Sequence, residues 1–204
     1  MKTALCQLPA TSDQRLMAQA LPLPGRWNQP PPPRDLLQIP RELVDRGQLD
    51  DALSYIAAHR ETLATNHELP KLLVWLGDLL VEQDRGEAAL PCYRQALQID
   101  ANYLLAMNNL AWQLATHARD SIRDGAAAVT WAERAAKLTK DRDPGILDTL
   151  AASYAEAGRF DQATKVATRA IQLAVQNGQT DLAQRLRRRV EQYRAGQPHR
   201  STSL

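Results

Sequence analysis

The chain has 204 residues, a formal net charge of +2 and 5% aromatic residues. So even a balance gives no global attraction to nucleic acid, and no apolar run approaches the roughly 18 residues that a membrane span requires. Alanine, leucine, glutamine and arginine dominate, a composition suited to an all-helical soluble protein.

Residues 1–34 hold seven of the twelve prolines, including the run Pro30 to Pro33, with Gly25 nearby. This predicts an irregular or polyproline arm, or a linker. The stretch PLPGRWNQPPPPR could also serve as a ligand for an aromatic-lined proline-binding groove. The start MKTALCQLPATSDQ carries one lysine and too short an apolar stretch to read as a secretory or lipoprotein signal. Cys6 and Cys92 lie in segments with no reason to meet, which points to a reducing, cytoplasmic setting.

Residues 35–66 carry a degenerate helix pair, with its turn at Gly47-Gln48-Leu49-Asp50-Asp51-Ala52-Leu53 and its first helix begun or kinked at Pro40. Three fuller units are expected over 70–103, 104–139 and 144–177. Leu76, Leu110 and Leu150 each open a Leu-Gly or Leu-Ala pair at separations of 34 and 40, and Ala89, Ala128 and Ala163 follow at separations of 39 and 35. In each, small residues (Gly77, Ala89, Ala96; Ala151, Ala163, Ala170) stand where antiparallel helices must approach, and Leu76, Leu80, Tyr93, Leu150, Tyr154 and Ile171 fill the space between. The middle unit keeps both helices, LLAMNNLAWQLAT and AAAVTWAERAAKL, but its turn HARDSIRDG is lengthened by about five residues. A last helix is expected over 180–195, N-capped by Thr180 and stopped by Gly196 and Pro198, with the stripe Leu182, Leu186, Val190 and Tyr193 covering the open end. Residues 197–204 are expected to be a disordered tail.

A period near 34 residues with these small-large registers resembles the tetratricopeptide repeat family, over about Leu36 to Leu173. The stretches NNLAWQLAT, DGAAAVTWAERA and LDTLAASYAEAGRFDQA are similar to the repeat tails of large bacterial multidomain proteins. Two departures stand out: Pro91 falls inside a second helix, and Ala101 stands where a proline usually closes the unit. The resemblance implies an all-α, right-handed solenoid of antiparallel helix pairs with a C-terminal capping helix, and each unit buries its apolar face only against its neighbours.

Function in such an architecture comes from a surface, and first helices line the concave side. Their inward register holds Lys71, Val74, Asp78 and Glu82 in one unit, Leu105, Asn108 and Trp112 in the next, and Asp148, Ala152 and Glu156 in the last. Trp75 and Asn109 stand at its edges. Asn108 offers two donors and an acceptor to a peptide backbone, with Asn109 as its possible support, and Trp112 is large enough to anchor a ligand side chain. Packing alone is an equally simple role for these three and the simpler one for Trp75. Tetratricopeptide co-chaperones that clamp an acidic chaperone C-terminus use lysine and asparagine, then asparagine, then lysine and arginine. The matching places here are Val74 and Asp78, Asn109, and Gly145 and Thr149. No cation is left there to meet a carboxylate, whereas Asp78, Glu82, Asp148 and Glu156 favour a neutral or basic ligand.

The expected function is therefore a protein-interaction module or scaffold that binds a peptide or helix in its concave groove. The alternative is a regulatory or spacer region of a multidomain enzyme assembly. Arg185, Arg187, Arg188, Arg189, Arg194 and Arg200 make the C-terminal helix and tail basic, but the aromatic among them, Tyr193, belongs to the apolar stripe and the overall charge is near zero, so nucleic-acid binding ranks below a solvated capping helix. His59, His67, His117 and His199 are scattered, and no phosphate-cradling, metal-ligating or nucleophile motif occurs. His59 suits packing or capping at a junction, and His117 a solvated turn. No catalysis, metal or cofactor is implied.

Overall fold

The computed structural model describes residues 36–201. The proline-rich arm, its PLPGRWNQPPPPR stretch and Cys6 lie outside the described residues. Those that are described form ten α-helices and one short 3-10 turn, Asp120–Ile122, with no strand. None of the helices is long and apolar enough to cross a membrane.

The chain divides into two compact units at Leu69 and Pro70. In the first, α1 (Gln38–Asp45) packs on α2 (Leu49–Ala58), and the short α3 (Arg60–Leu63) follows. Pro40 sits near the start of α1, where its missing N–H has no intrahelical partner to lose. Leu43, Val44, Ala52, Tyr55 and Ile56 are buried. His59 closes α2 by stacking on Tyr55, ring centroids 4.1 Å apart, with Nδ1 2.9 Å from the Tyr55 carbonyl oxygen.

The second unit is built of the pairs α4 (Leu69–Glu82) with α5 (Gly86–Ile99), α6 (Leu104–Thr116) with α7 (Gly125–Leu138), and α8 (Pro144–Glu156) with α9 (Phe160–Gln176). The first helices α6 and α8 also pack on the pair before them, so α5 meets α6, α7 meets α8, and α6 meets α8. This is an α-solenoid. Its small-residue register is where the packing is tightest: Ala89, Ala96, Ala128, Ala163 and Ala170 are fully buried. A Cβ at Gly77 would come within 2.6 Å of Tyr93 Cε1, so only glycine lets that buried ring lie against α4.

Helix ends are set by local chemistry. Asp143 accepts from the Gly145 and Ile146 N–H groups at 2.8 and 3.1 Å and precedes Pro144, a strong start for α8. Gly178 (φ 72°) ends α9 with the Gly178 N–H on Val175 and the Gln179 N–H on the Ala174 carbonyl.

The capping helix α10 (Thr180–Arg194) packs along α9 as expected, but the turn at Gly178 places Gln179 in the cap position and makes Thr180 the first helical residue. Leu186, Val190 and Tyr193 are buried, whereas Leu182 is half-buried and Ala183 is the buried residue of that first turn.

Candidate peptide groove

On the first-helix face, Asp78 of α4 is a node. Tyr93 from α5 donates its hydroxyl to Asp78 Oδ1 at 2.8 Å, and Asn109 Nδ2 from α6 donates to the same oxygen at 2.8 Å. Asn108 Nδ2 reaches Asn109 Oδ1 at 3.2 Å. Burial and the neighbouring Asp78 carboxylate push the Tyr93 phenol well above its ordinary range, so it stays a donor. Beside this node lies a cavity of about 760 Å³ lined by Asp78, Glu82, Tyr93, Asn109, Trp112, Gln113, His117 and Ser201 among others. Its far wall is the lengthened turn after α6.

His117 in that turn is buried, in contrast to the solvated position expected. The Arg119 N–H donates to Nδ1 at 3.0 Å, and a Cβ on Gly86 would lie 2.8 Å from Nε2. Burial first, and Arg119 next, push its pKa down, so the ring is neutral. The extra residues thus fold onto the first-helix face as structure.

Between α6 and α8 the carboxylates are already engaged. Arg189 of α10 forms an ion pair with buried Asp148 and lies over the Trp112 ring, 4.9 Å from its centroid. Burial pushes the Asp148 carboxyl up, and Arg189 acts against that. Glu156 accepts from Arg123 Nε at 2.9 Å, and Arg200 Nη1 lies 2.6 Å from its other oxygen. Arg123 is itself fixed by donating to the His117 carbonyl at 2.7 Å and by an ion pair with Asp120.

The expected groove stripe is brought together only in part. Asp78, Glu82 and Trp112 share the cavity, and Lys71 and Leu105 are exposed. Trp75 is exposed at the edge. Asn108 is half-buried, and its Oδ1 is buried without a hydrogen-bond partner among the described residues. Val74 and Ala152 are 4% and 1% exposed, so packing between helices removes them from any ligand surface. The expected surplus of unmet negative charge is also corrected. Arg123, Arg189 and Arg200 reach Glu156 and Asp148 from the turn, the capping helix and the tail.

The segment after α10 differs from the disordered tail expected as far as Ser201, because it makes defined contacts with α6 and α8. Thr116, Arg123, Arg189, His199, Arg200 and Ser201 therefore join the site, although none of them was among the expected groove residues. One signal was available: two carboxylates of the inward register, Asp148 and Glu156, stand on a helix rich in alanine and leucine with no cation of its own, and the arginine-rich C-terminal region was a large supply. Among the described residues no group of His, Cys, Asp and Glu is arranged to hold a metal ion.

Residues 70–103 match the family model described as tetratricopeptide repeat. In fold, the chain resembles the crystal structure of MamA protein, with a TM-score of 0.53 and 18% identity over 79% of this chain and 87% of that one. A tetratricopeptide repeat protein from Parabacteroides merdae ATCC 43184 is more distant, with a TM-score of 0.49 and 18% identity over 76% of this chain and 64% of that one. No curated protein matches the sequence. The repeat match and the helical-pair architecture define a tetratricopeptide-like α-solenoid, a fold that generally serves protein interaction or scaffolding.

Proposed function

We propose that the chain is a non-catalytic interaction scaffold that holds a peptide segment on the face formed by α4, α6 and α8. The observation that carries this reading is the cavity of about 760 Å³ beside the Asp78–Asn109 node, where an apolar anchor, Trp112, stands among several polar groups. An apolar wall with a few fixed polar groups is the usual makeup of a recognition site. Asn108 adds a buried acceptor without a partner on the same helix. Asp78 and exposed Glu82 line this cavity and favour a ligand segment that is neutral or basic. A reducing compartment suits Cys92, which is a free, buried thiol.

The test is a charge-balanced peptide library screened at low and moderate salt against the wild type and the Asn108→Ala, Trp112→Ala double variant. Hits should be basic or neutral, weaken with salt and be lost in the double variant. Acidic hits, or hits that survive the double substitution, would overturn the assignment.

A further inference from the structure

The C-terminal segment behaves as a ligand of the solenoid's own face. At the end of α10, Gly196 adopts φ 70°, and the Gln197 N–H returns to the Gln192 carbonyl at 2.9 Å, a left-handed cap that turns the chain off the helix. From there Gln197 to Ser201 has no regular structure of its own, so its placement rests on what it touches. The Ser201 N–H donates to the Thr116 carbonyl at 2.8 Å. That carbonyl is one of the last of α6 and has no intrahelical donor. The Ser201 and Thr116 hydroxyls are also 2.8 Å apart. Arg200 reaches Glu156, and the His199 ring lies against Trp112 with centroids 5.7 Å apart. Each element of peptide recognition is present: a main-chain hydrogen bond, an ion pair and a ring contact on the expected anchor.

We propose that residues 197–201 are a built-in competitor, which occupies the α6–α8 part of the groove in cis and yields to a partner segment of the same chemistry. That partner is an extended peptide with an arginine directly followed by a small hydroxyl residue. The arginine takes Glu156 and the hydroxyl residue takes Thr116. This rests on the groove reading above and adds to it both the ligand class and the means by which the unliganded face is kept closed. Arginine is favoured over lysine because a planar fork can approach a carboxylate already holding the Arg123 guanidinium. A short tether raises the local concentration of the tail to the order of millimolar, so a segment of about 0.1 mM intrinsic affinity weakens an outside competitor about tenfold.

The experiment uses a fluorescent peptide of residues 196–204 as the probe. It is titrated into the full chain and into the full chain carrying Arg200→Ala and Ser201→Ala, which removes the tail's ion pair and hydroxyl contact while leaving the groove residues of α4, α6 and α8 in place. The freed-tail chain should bind the probe about tenfold more tightly than the wild type, and a probe carrying Arg200→Glu should lose that gain. Glu156→Gln in the freed-tail chain should weaken the probe similarly, with circular dichroism confirming that it remains helical. Equal probe binding by wild-type and freed-tail chains overturns the cis competitor while leaving the groove reading intact. Undiminished binding of the Arg200→Glu probe overturns the ligand chemistry. Tail-dependent dimers of the wild type in sedimentation would mean that the tail is exchanged between copies, which also overturns the proposal.

Discussion

The two halves of the first-helix face are completed in opposite ways. Between α4 and α6, polar groups from adjacent helices satisfy one another through Asp78, Tyr93 and Asn109, and a cavity remains beside them. Between α6 and α8, the carboxylates are met by arginines from distant parts of the chain, and the chain's own tail lies across the surface. Charge on a helix stripe is therefore a poor guide to the potential of a groove, because a long-range segment can neutralise half of it and leave the other half open.

The closed half should be the more fragile to single substitution. Removing Arg189 leaves Asp148 buried without its cation, and breaking such a pair typically costs about 3–5 kcal/mol. Arg189→Met should lower stability in urea by about 3 kcal/mol, and adding Asp148→Asn should recover most of the loss. Burial raises the Asp148 carboxyl above its unfolded value, so the folded state holds the proton more tightly and the single variant should regain stability as pH falls. A loss unaffected by the second substitution would assign the role of Arg189 to its stacking on Trp112 instead.

The open half depends on shape. At Gly77 an added methyl meets the buried Tyr93 ring, which cannot withdraw without breaking its hydrogen bond to Asp78. Gly77→Ala should cost about 1–3 kcal/mol, the usual range for overpacking, and should free the Asn109 amide in an NMR spectrum. Unchanged stability would mean that α4 and α5 are packed more loosely than the close approach at Gly77 requires.

The contact between the tail and the closed half should respond to pH. Burial first, and then the nearby Arg189 and Arg200, push the His199 pKa down to about 4. A released tail regains an ordinary imidazole and binds a proton more readily. Docking is therefore at full strength above about pH 6.5 and weakens as pH falls toward 4. The Ser201 amide should lose exchange protection across this window, and His199→Ala should flatten the response.

The contrast between the halves was unevenly legible in the sequence. The 34-residue spacing and the alanine register located the helix pairs, because close packing leaves few residue types at those positions. Periodicity also put Asp78, Trp112 and Glu156 on the first helices. It could not indicate that Asp78 is held by Tyr93 from the paired helix, since facing helices need not carry any mark of each other's polar contacts. Nor could it place His199, Arg200 and Ser201, whose positions follow from the left-handed turn at Gly196 and from contacts spanning up to 85 residues. His117 was missed for a related reason: an insertion is expected to be solvated, yet Arg123 and the missing side chain of Gly86 draw this one inward.

The smallest effect sharpens the comparison at the turns that join the helices. After α1, α8, α9 and α10 a glycine takes the left-handed conformation, at Gly47, Gly158, Gly178 and Gly196. Two corresponding turns in the middle of the solenoid use other residues: Asp84 after α4 has φ 59°, and Lys140 after α7 has φ 53°. Both turns make the same pair of hydrogen bonds as the glycine turns, with Lys140 N–H on the Lys137 carbonyl and Asp141 N–H on Ala136. An L side chain at such φ costs about 1–2 kcal/mol, and glycine escapes that cost but loses more entropy on folding. Lys140→Gly should therefore stabilise the chain modestly, by about 0.5–1 kcal/mol, because Lys140 is exposed. Asp84 borders the cavity, so the same change there should raise stability by a similar amount and also alter peptide binding. If both glycine variants were destabilised in urea, the left-handed turns would be held by their side chains and not merely tolerated.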